Sequence, residues 1–370
     1  MTVTPADVSV RDLLADIENL VRCESPSSDH KAVARSADAV AALGRRLLGA
    51  EPDRVVIDGV THLRWRSGGM PRVLLLGHHD TVWPEGSLET HPYAVQDGVL
   101  RGPGCFDMKA GVVMALHAAA ATGNPAGLSI LVTGDEEIGS PSSRRLIERE
   151  ALGCDAVFVL EASADGGALK CRRKGVSLYR VDVEGRAAHA GLEPEKGVNA
   201  GVEIAHQVLA LAALADPERG TTVVPTALSA GTTANTVPAR AGVAVDVRVW
   251  DDAEQARVDR AVRELRPVLA GSRILVSGGV NRPPLQAEAS SALFGLATSL
   301  ARGLGLGELT AASVGGASDG NFTAGLGVPT LDGLGAVGGG AHADHEHVVV
   351  AELPRRTALL AALIEAVLAK

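Results

Sequence analysis

The chain has 370 residues, 46% of them apolar and 21% charged, so it can bury a sizeable core and is not a disordered segment; at ~150 residues per domain the length suggests two domains. Lys and Arg number 35 against 44 Asp and Glu, a net charge of −9, and aromatics make up only 2%, so there is neither a basic phosphate track nor a set of rings for stacking bases, which excludes nucleic acid as a partner. The four cysteines, Cys23, Cys105, Cys154 and Cys171, are scattered without a CxxC pair, the N-terminal stretch lacks a basic start, and the longest apolar run, Ala110 to Ala121, falls short of the ~20 residues of a membrane span. A cytoplasmic protein with no membrane contact is the expectation.

In chain order, Leu13, Leu14, Ile17, Leu20 and Val21 recur at helical spacing after Ser9, a helix-start residue. Aliphatic runs then alternate with helical patterns: 55–57, 73–76, a helix from about Met108 to Ala121, 129–132, a helix from about Pro141, and 156–160. This is the rhythm of an α/β fold with a largely buried sheet. Between about 170 and 278 the pattern changes. An alternating strand at GVSLYRVDVEG, a helix over 198–214, strands near 223–232 and 242–250, a helix over Asp252 to Leu269 and a strand at 273–277 give a β-α-β-β-α-β order, the ferredoxin-like arrangement. The remainder is helical over Ser290 to Arg302, Gly-rich from Gly315 to Gly340, and helical again from about Pro354 to Leu368. The expected organisation is a discontinuous domain of residues 1–168 and 279–370 interrupted by an inserted domain of residues 169–278.

Acids and histidines gather at strand ends. The 73–76 strand runs into GHHDTV, where His78 and Asp80 share a face and His79 points away. Asp107 follows two glycines in GPGCFDMKAG; the 129–132 strand exits into Asp135, Glu136 and Glu137; Glu161 closes the 156–160 strand; and His342 lies in the Gly-rich loop GGGAHADHEHV beside Asp344, His345, Glu346 and His347. Each alone reads as a cap, a solvated turn or a loop residue. Together His78, Asp107, Glu137, Glu161 and His342 are nitrogen and oxygen ligands without a thiolate, the donor set of a hydrolytic zinc, cobalt or manganese centre, and five suffice for two ions if one carboxylate bridges. Glu136 is then left beside a ligand, where a general base for water would stand.

With these residues, the ordered motifs GHHDTV, GPGCFDMKAG, TGDEEIGS, VLEAS, GRAAHAGLEPEKGVNA, GTTANTVPA, DVRVW, VGGASDG and GAHADHE resemble the M20 family of co-catalytic metallopeptidases and amidohydrolases, most closely its glutamate carboxypeptidase type. The resemblance spans nearly the whole chain. It implies a di-zinc exopeptidase-like α/β catalytic domain carrying an inserted ferredoxin-like lid and dimerisation domain. Two Zn2+ ions per chain follow, with Asp107 bridging, His78 and Glu161 completing one metal, and Glu137 and His342 the other. Asp80 would orient His78 and Glu136 would act as general base; His189 would reach a neighbouring subunit's site to stabilise the oxyanion in a homodimer. Asn235, Arg248, Arg282 and the amides of Gly315 and Gly316 would contact substrate, although for Arg248 an ion pair with Asp246 is the competing reading, and Lys174 or Arg173 is a second cation for a glutamate side chain. His345 and His347 compete with His342 as ligands. The implied activity is hydrolysis of the amide joining a C-terminal amino acid, glutamate being the candidate, to a peptidyl or N-acyl group. An N-acyl-amino-acid or N-succinyl deacylase or a dipeptidase is the alternative, and a non-catalytic amino-acid or peptide-binding protein the alternative of another class.

Overall fold

The computed structural model describes residues 3–123 and 125–370. In chain order its principal elements are α1 (Val10–Arg22), α2 (His30–Leu48), β1 (Asp53–Ile57), β2 (Val60–Arg66), β3 (Val73–His78), β4 (Ala94–Gln96), β5 (Val99–Arg101), α3 (Ala110–Ala121), β6 (Leu128–Thr133), α4 (Arg144–Ala151), β7 (Ala156–Val159) and β8 (Leu169–Arg173). These are followed by β9 (Gly175–Glu184), α5 (Ala200–Ala212), β10 (Thr222–Ala230), β11 (Arg240–Val249), α6 (Asp252–Arg263), β12 (Arg273–Arg282), α7 (Ala287–Gly303), β13 (Ala311–Val314), α8 (Gly320–Gly325), β14 (Thr330–Leu331), β15 (Gly338–Gly339), β16 (His347–Val349) and α9 (Leu353–Leu368). The chain forms two compact units: one comprises the chain up to Arg172 with Leu285–Val314 and Ser318–Lys370, the other Arg173–Pro284 with Gly315–Ala317.

The first unit is built on a six-stranded sheet in the order β1-β2-β6-β3-β7-β14. β3 pairs in parallel with β6 on one side and β7 on the other, and β14 continues the parallel run. These central strands are buried along their whole length because both faces are covered. Val73 and Leu75 of β3 pack with α1, α2, α3 and α9 in one core, whereas Leu74 and Leu76 join Leu146 and Ile147 of α4 and Phe322 of α8 in another. The two-residue alternation thus feeds two cores, and the aliphatic runs carry no polar face. Among the described residues no helix is long and apolar enough to cross a membrane.

The second unit is an antiparallel sheet ordered β10-β11-β9-β12 with α5 and α6 packed against it. Val243, Val245, Val247 and Val249 of β11 face its core beside Ile204 and Leu211 of α5 and Val258 and Val262 of α6. The alternate residues Asp246 and Arg248 lie on the other face and pair with each other at 2.8 Å.

Several element ends differ from expectation, each for a local reason. The helix expected from Met108 begins at Ala110, because Cys105–Lys109 forms a wide turn in which Asp107 and Met108 have non-helical dihedrals. The helix expected from Pro141 begins at Arg144: the buried Asp135 carboxylate takes the backbone N–H of Ser142 (2.7 Å) and Ser143 (3.3 Å) and both hydroxyls, which holds those residues in a turn. The helix expected to reach Leu269 stops at Arg263: Pro267 has no N–H to donate and disfavours a helical Arg266, and the N–H groups of Val268 and Leu269 beyond it are bound by the buried Glu203 carboxylate. Helix α2 and strand β2 went unread, although Asp29 caps α2 through the N–H of Lys31 and Ala32.

Candidate metal centre

Because β6, β3 and β7 are adjacent and parallel, their carboxyl ends open on one edge, the usual place for ligands of an α/β sheet. β3 ends in His78, opposite Thr133 at the end of β6, and Leu76 is opposite Val159 at the end of β7. Glu161 stands two residues beyond β7, and Glu136 and Glu137 three and four residues beyond β6. The turn before α3 delivers Asp107, and the loop between β15 and β16 delivers His342, whose left-handed φ of 63° turns the chain at that point.

The five residues meet. His78 Nε2 lies 3.4 Å from Asp107 Oδ1 and 3.5 Å from Glu161 Oε1, while His342 Nε2 lies 3.2 Å from Asp107 Oδ2 and 3.1 Å from Glu137 Oε2. The two oxygens of Asp107 therefore face different histidines, and each histidine has its own second carboxylate. Ligand atoms of His78, Asp107 and Glu137, and likewise of His78, Glu136 and Glu161, lie within 4.8 Å of one another, so Glu136 shares the same small space. Neither His345 nor His347 is brought into these groups; the His347 ring is turned to the His345 carbonyl at 2.9 Å.

The arrangement fits divalent metal ions. His78 Nε2, Asp107 Oδ1 and Glu137 Oε1 are buried without a hydrogen-bond partner, a costly state for polar atoms unless something binds them. Donors ~2.0–2.2 Å from a tetrahedral ion are about 3.3–3.6 Å apart, close to the spacings found here. His78 Nδ1 is 2.9 Å from the backbone carbonyl of Asp80; a carbonyl only accepts, so Nδ1 carries a proton and Nε2 is the nitrogen left facing the carboxylates, the one that would offer its lone pair to a metal. Charge tells the same story. Burial pushes the Asp107 carboxyl up, but the His342 and His78 imidazoles against it outweigh that and hold it well below the usual range. Asp107 and Glu137 together lift His342 to about 10. Burial lowers His78, but Asp107, Asp80 and Glu161 more than offset it, and burial raises Glu137. Without metal, protons stand in for cations among crowded carboxylates.

Asp80 lies against His78 through both its carbonyl and its carboxylate, and the carboxylate has further partners. The nearest acceptor for His78 is its carbonyl; its carboxylate, 3.4 Å from His78 Nδ1, accepts the Ser27 hydroxyl at 2.6 Å and the backbone N–H of Glu136 and Glu137, each at 3.2 Å. It thereby anchors the turn that bears both the ligand candidate Glu137 and the base candidate Glu136. His79 turns away as expected, its Nε2 donating to the Thr61 carbonyl at 3.1 Å, and burial depresses it to about 4.

Close backbone contacts fix Glu161. A Cβ on Gly111 would stand 2.1 Å from the Leu160 carbonyl oxygen, and one on Gly335 2.2 Å from the same atom, so the peptide before Glu161 is wedged between two glycines. Sequence reasoning also missed Glu346, a buried acid four residues beyond His342 that takes backbone N–H groups from the Asp107 turn. The sequence shows only its nearness to His342; its partners lie some 240 residues away.

The remaining expected residues lie in the second unit. His189 is exposed, and its Nδ1 accepts the N–H groups of Gly191 (3.2 Å) and Leu192 (3.1 Å), which leaves the ring proton on Nε2. The Asn235 carbonyl accepts the N–H of Ala190 at 2.9 Å, joining the His189 and Asn235 segments. Arg248 is held by Asp246. Arg282 is buried, with its carbonyl accepting from Gln255 at 3.0 Å; Arg173 donates to the Gly316 carbonyl at 3.1 Å, beside Gly315; and Lys174 donates to the Gly220 carbonyl below the Trp250 ring.

A sheet whose central strands run parallel, with nitrogen and oxygen donors paired around a shared carboxylate at their carboxyl ends, is the build of a metal-dependent hydrolase. The family model of peptidase family M20/M25/M40 matches residues 74–366, and the chain belongs to that family of hydrolases. It is 30% identical over 373 residues to carboxypeptidase G2 of Pseudomonas sp. (strain RS-16), covering 95% of this chain and 88% of that protein. It is likewise 30% identical over 297 residues to a succinyl-diaminopimelate desuccinylase of Rhodopseudomonas palustris (strain BisA53), 71% of this chain and 74% of the relative. Among solved structures, aminopeptidase PepT of Bacillus cereus ATCC 10987 superposes with a TM-score of 0.74 over 98% of this chain and all of the other, at 22% identity, a likeness of fold.

Proposed function

We propose that the protein is a zinc-dependent hydrolase that cleaves the amide between a C-terminal amino acid, glutamate being the candidate, and a peptidyl or N-acyl group. The observation that carries this reading is the split of Asp107, one oxygen facing His78 and Glu161's side of the cluster, the other facing His342 and Glu137. Two divalent ions, zinc with cobalt or manganese as alternatives, held by His78, Asp107 and Glu161 and by Asp107, Glu137 and His342, would lower the pKa of a water and polarise the scissile carbonyl. Glu136 takes the proton of the attacking water and passes it to the amide nitrogen as the amine leaves. Asp80 keeps Glu136 in place for both transfers. His189, with its proton on Nε2, donates to the developing oxyanion from a neighbouring subunit, and Asn235, Arg248, Arg282 and the amides of Gly315 and Gly316 meet the substrate; the bidentate fork of an arginine suits a carboxylate.

In this reading residues 1–168 and 279–370 form the catalytic domain and residues 169–278 an inserted ferredoxin-like lid that also makes a homodimer. Exposed apolar side chains support such pairing: Val202 and Leu209 on α5, and Val224 and Leu228 on the edge strand β10. A cytoplasmic location agrees with the free cysteines.

The similarity to succinyl-diaminopimelate desuccinylases favours a second reading, an N-acyl or N-succinyl deacylase of the same chemistry. Mass spectrometry of products from a panel of N-acyl amino acids and dipeptides, with zinc-loaded protein and Glu136→Ala as control, separates the two. Release of glutamate alone supports the carboxypeptidase, release of succinate or of other amino acids the deacylase or dipeptidase, and no release from any member with metal bound contradicts both.

A further inference from the structure

The loop bearing His342 joins two strands of only two and three residues, β15 and β16, so little regular structure backs it. One side chain on that loop crosses to the turn that carries Asp107. Glu346 is 3% exposed, and its Oε1 accepts the N–H groups of Phe106 (2.8 Å) and Asp107 (3.0 Å), while Oε2 accepts those of Gly104 (3.0 Å) and the Trp83 indole (2.7 Å). Both oxygens are thus occupied by donors from two other segments. Trp83 follows Asp80 by three residues on the chain leaving β3, so the same carboxylate ties together the segments that bear His78, Asp107 and His342. A buried carboxylate is worth its desolvation only where its partners are fully made, and four charge-assisted N–H bonds make them.

We propose that Glu346 is a positioning residue for the metal centre: by clamping the Asp107 turn to the His342 loop it sets the spacing of the half formed by Asp107, Glu137 and His342, and Trp83 completes the clamp. This rests on the two-metal reading above. Glu346 touches neither substrate nor ion in this scheme and acts through the ligands. Its loss should therefore be felt unequally. The His78 and Glu161 half is held by β3 and β7, whereas His342 has no strand of comparable length behind it.

The test uses metal-free full-length protein titrated with Co2+, reading visible absorption and stoichiometry. Wild type should take up two ions; fewer than two would fail the two-metal reading itself, whatever the variants do. In Glu346→Gln one acceptor oxygen becomes an NH2 group facing two donors, and the second Co2+ should bind ~10–100-fold more weakly with an altered d–d spectrum, while the first stays within about threefold of wild type. Trp83→Phe removes one donor of four and keeps the experiment decisive if Glu346→Gln fails to fold; it should weaken the second ion by ~3–10-fold, again with a spectral change. Wild-type affinities and spectra in folded variants would overturn the proposal. So would equal weakening of both ions, which a merely structural residue would give.

Discussion

Replacing Asp80 by Asn tests whether its carboxylate holds the catalytic turn. Oδ1 accepts the N–H of Glu136, and Oδ2 accepts the N–H of Glu137 and the Ser27 hydroxyl. In Asn one of these oxygens becomes an NH2 group. The Ser27 hydroxyl can rotate to accept from it, but a backbone N–H cannot, so in either amide orientation Glu136 or Glu137 is left with a buried unpaired donor. Such a donor costs ~1–3 kcal/mol, which the turn can relieve only by moving. A displacement of Glu136 by about 1 Å is enough to lose ~10²-fold in rate, so Asp80→Asn should lower kcat by about that factor and leave KM within about threefold. Ser27→Ala, which spares both backbone bonds, should cost less than ~10-fold. The assay is steady-state turnover of the best substrate from the panel, with bound metal quantified in each variant. Asp80→Asn at full metal content with kcat within about threefold of wild type would refute the anchoring role, as would an equal loss in Ser27→Ala.

Glu136→Ala should lose ~10²–10⁴-fold in kcat while keeping its metal, and retained turnover would exclude it as the base. Metal uptake should release protons: His342, lifted to about 10, and His78, also raised, are protonated in the metal-free protein at neutral pH and must be neutral to ligate. Apparent affinity should accordingly weaken as the pH falls, and calorimetry in two buffers of different ionisation enthalpy should give a buffer-dependent heat; identical heats would contradict the raised values. Gly111→Ala drives a methyl against the Leu160 carbonyl and should cost ~1–3 kcal/mol of stability while also weakening metal binding through Glu161, read by thermal unfolding and metal titration. Unchanged metal affinity there would show that Glu161 adjusts freely.

The parts of the site legible in the sequence are those set by the sheet. His78 and Glu161 close or follow aliphatic runs within two residues, Glu137 lies in the turn that leaves another such run, and a parallel strand's end fixes where the next side chains stand. Within the second unit, the alternation of Val243 to Val249 told the core face from the face of Asp246 and Arg248, because period-two burial is local. What stayed hidden depends on partners distant in sequence. Asp80 reads as an aid to His78, and what the sequence does not show is that its carboxylate also binds Ser27 and the backbone of Glu136 and Glu137, more than 50 residues away on either side. Glu346 reads as one acid in a histidine-rich loop. Helix ends were missed because side chains compete for the backbone: Asp135 binds the N–H groups of Ser142 and Ser143 a few residues on, and Glu203 those of Val268 and Leu269 from far away in sequence. Helix α2, by contrast, carried its own signal in Asp29 and the apolar spacing of Val33, Ala37, Val40 and Ala41.

The most direct test of the account is a crystal structure of zinc-loaded protein with data collected on both sides of the zinc absorption edge. Two anomalous peaks are expected, one among His78, Asp107 and Glu161 and the other among Asp107, Glu137 and His342. A single peak, or a peak at His345 or His347 instead of His342, would contradict the assignment of a centre bridged by Asp107.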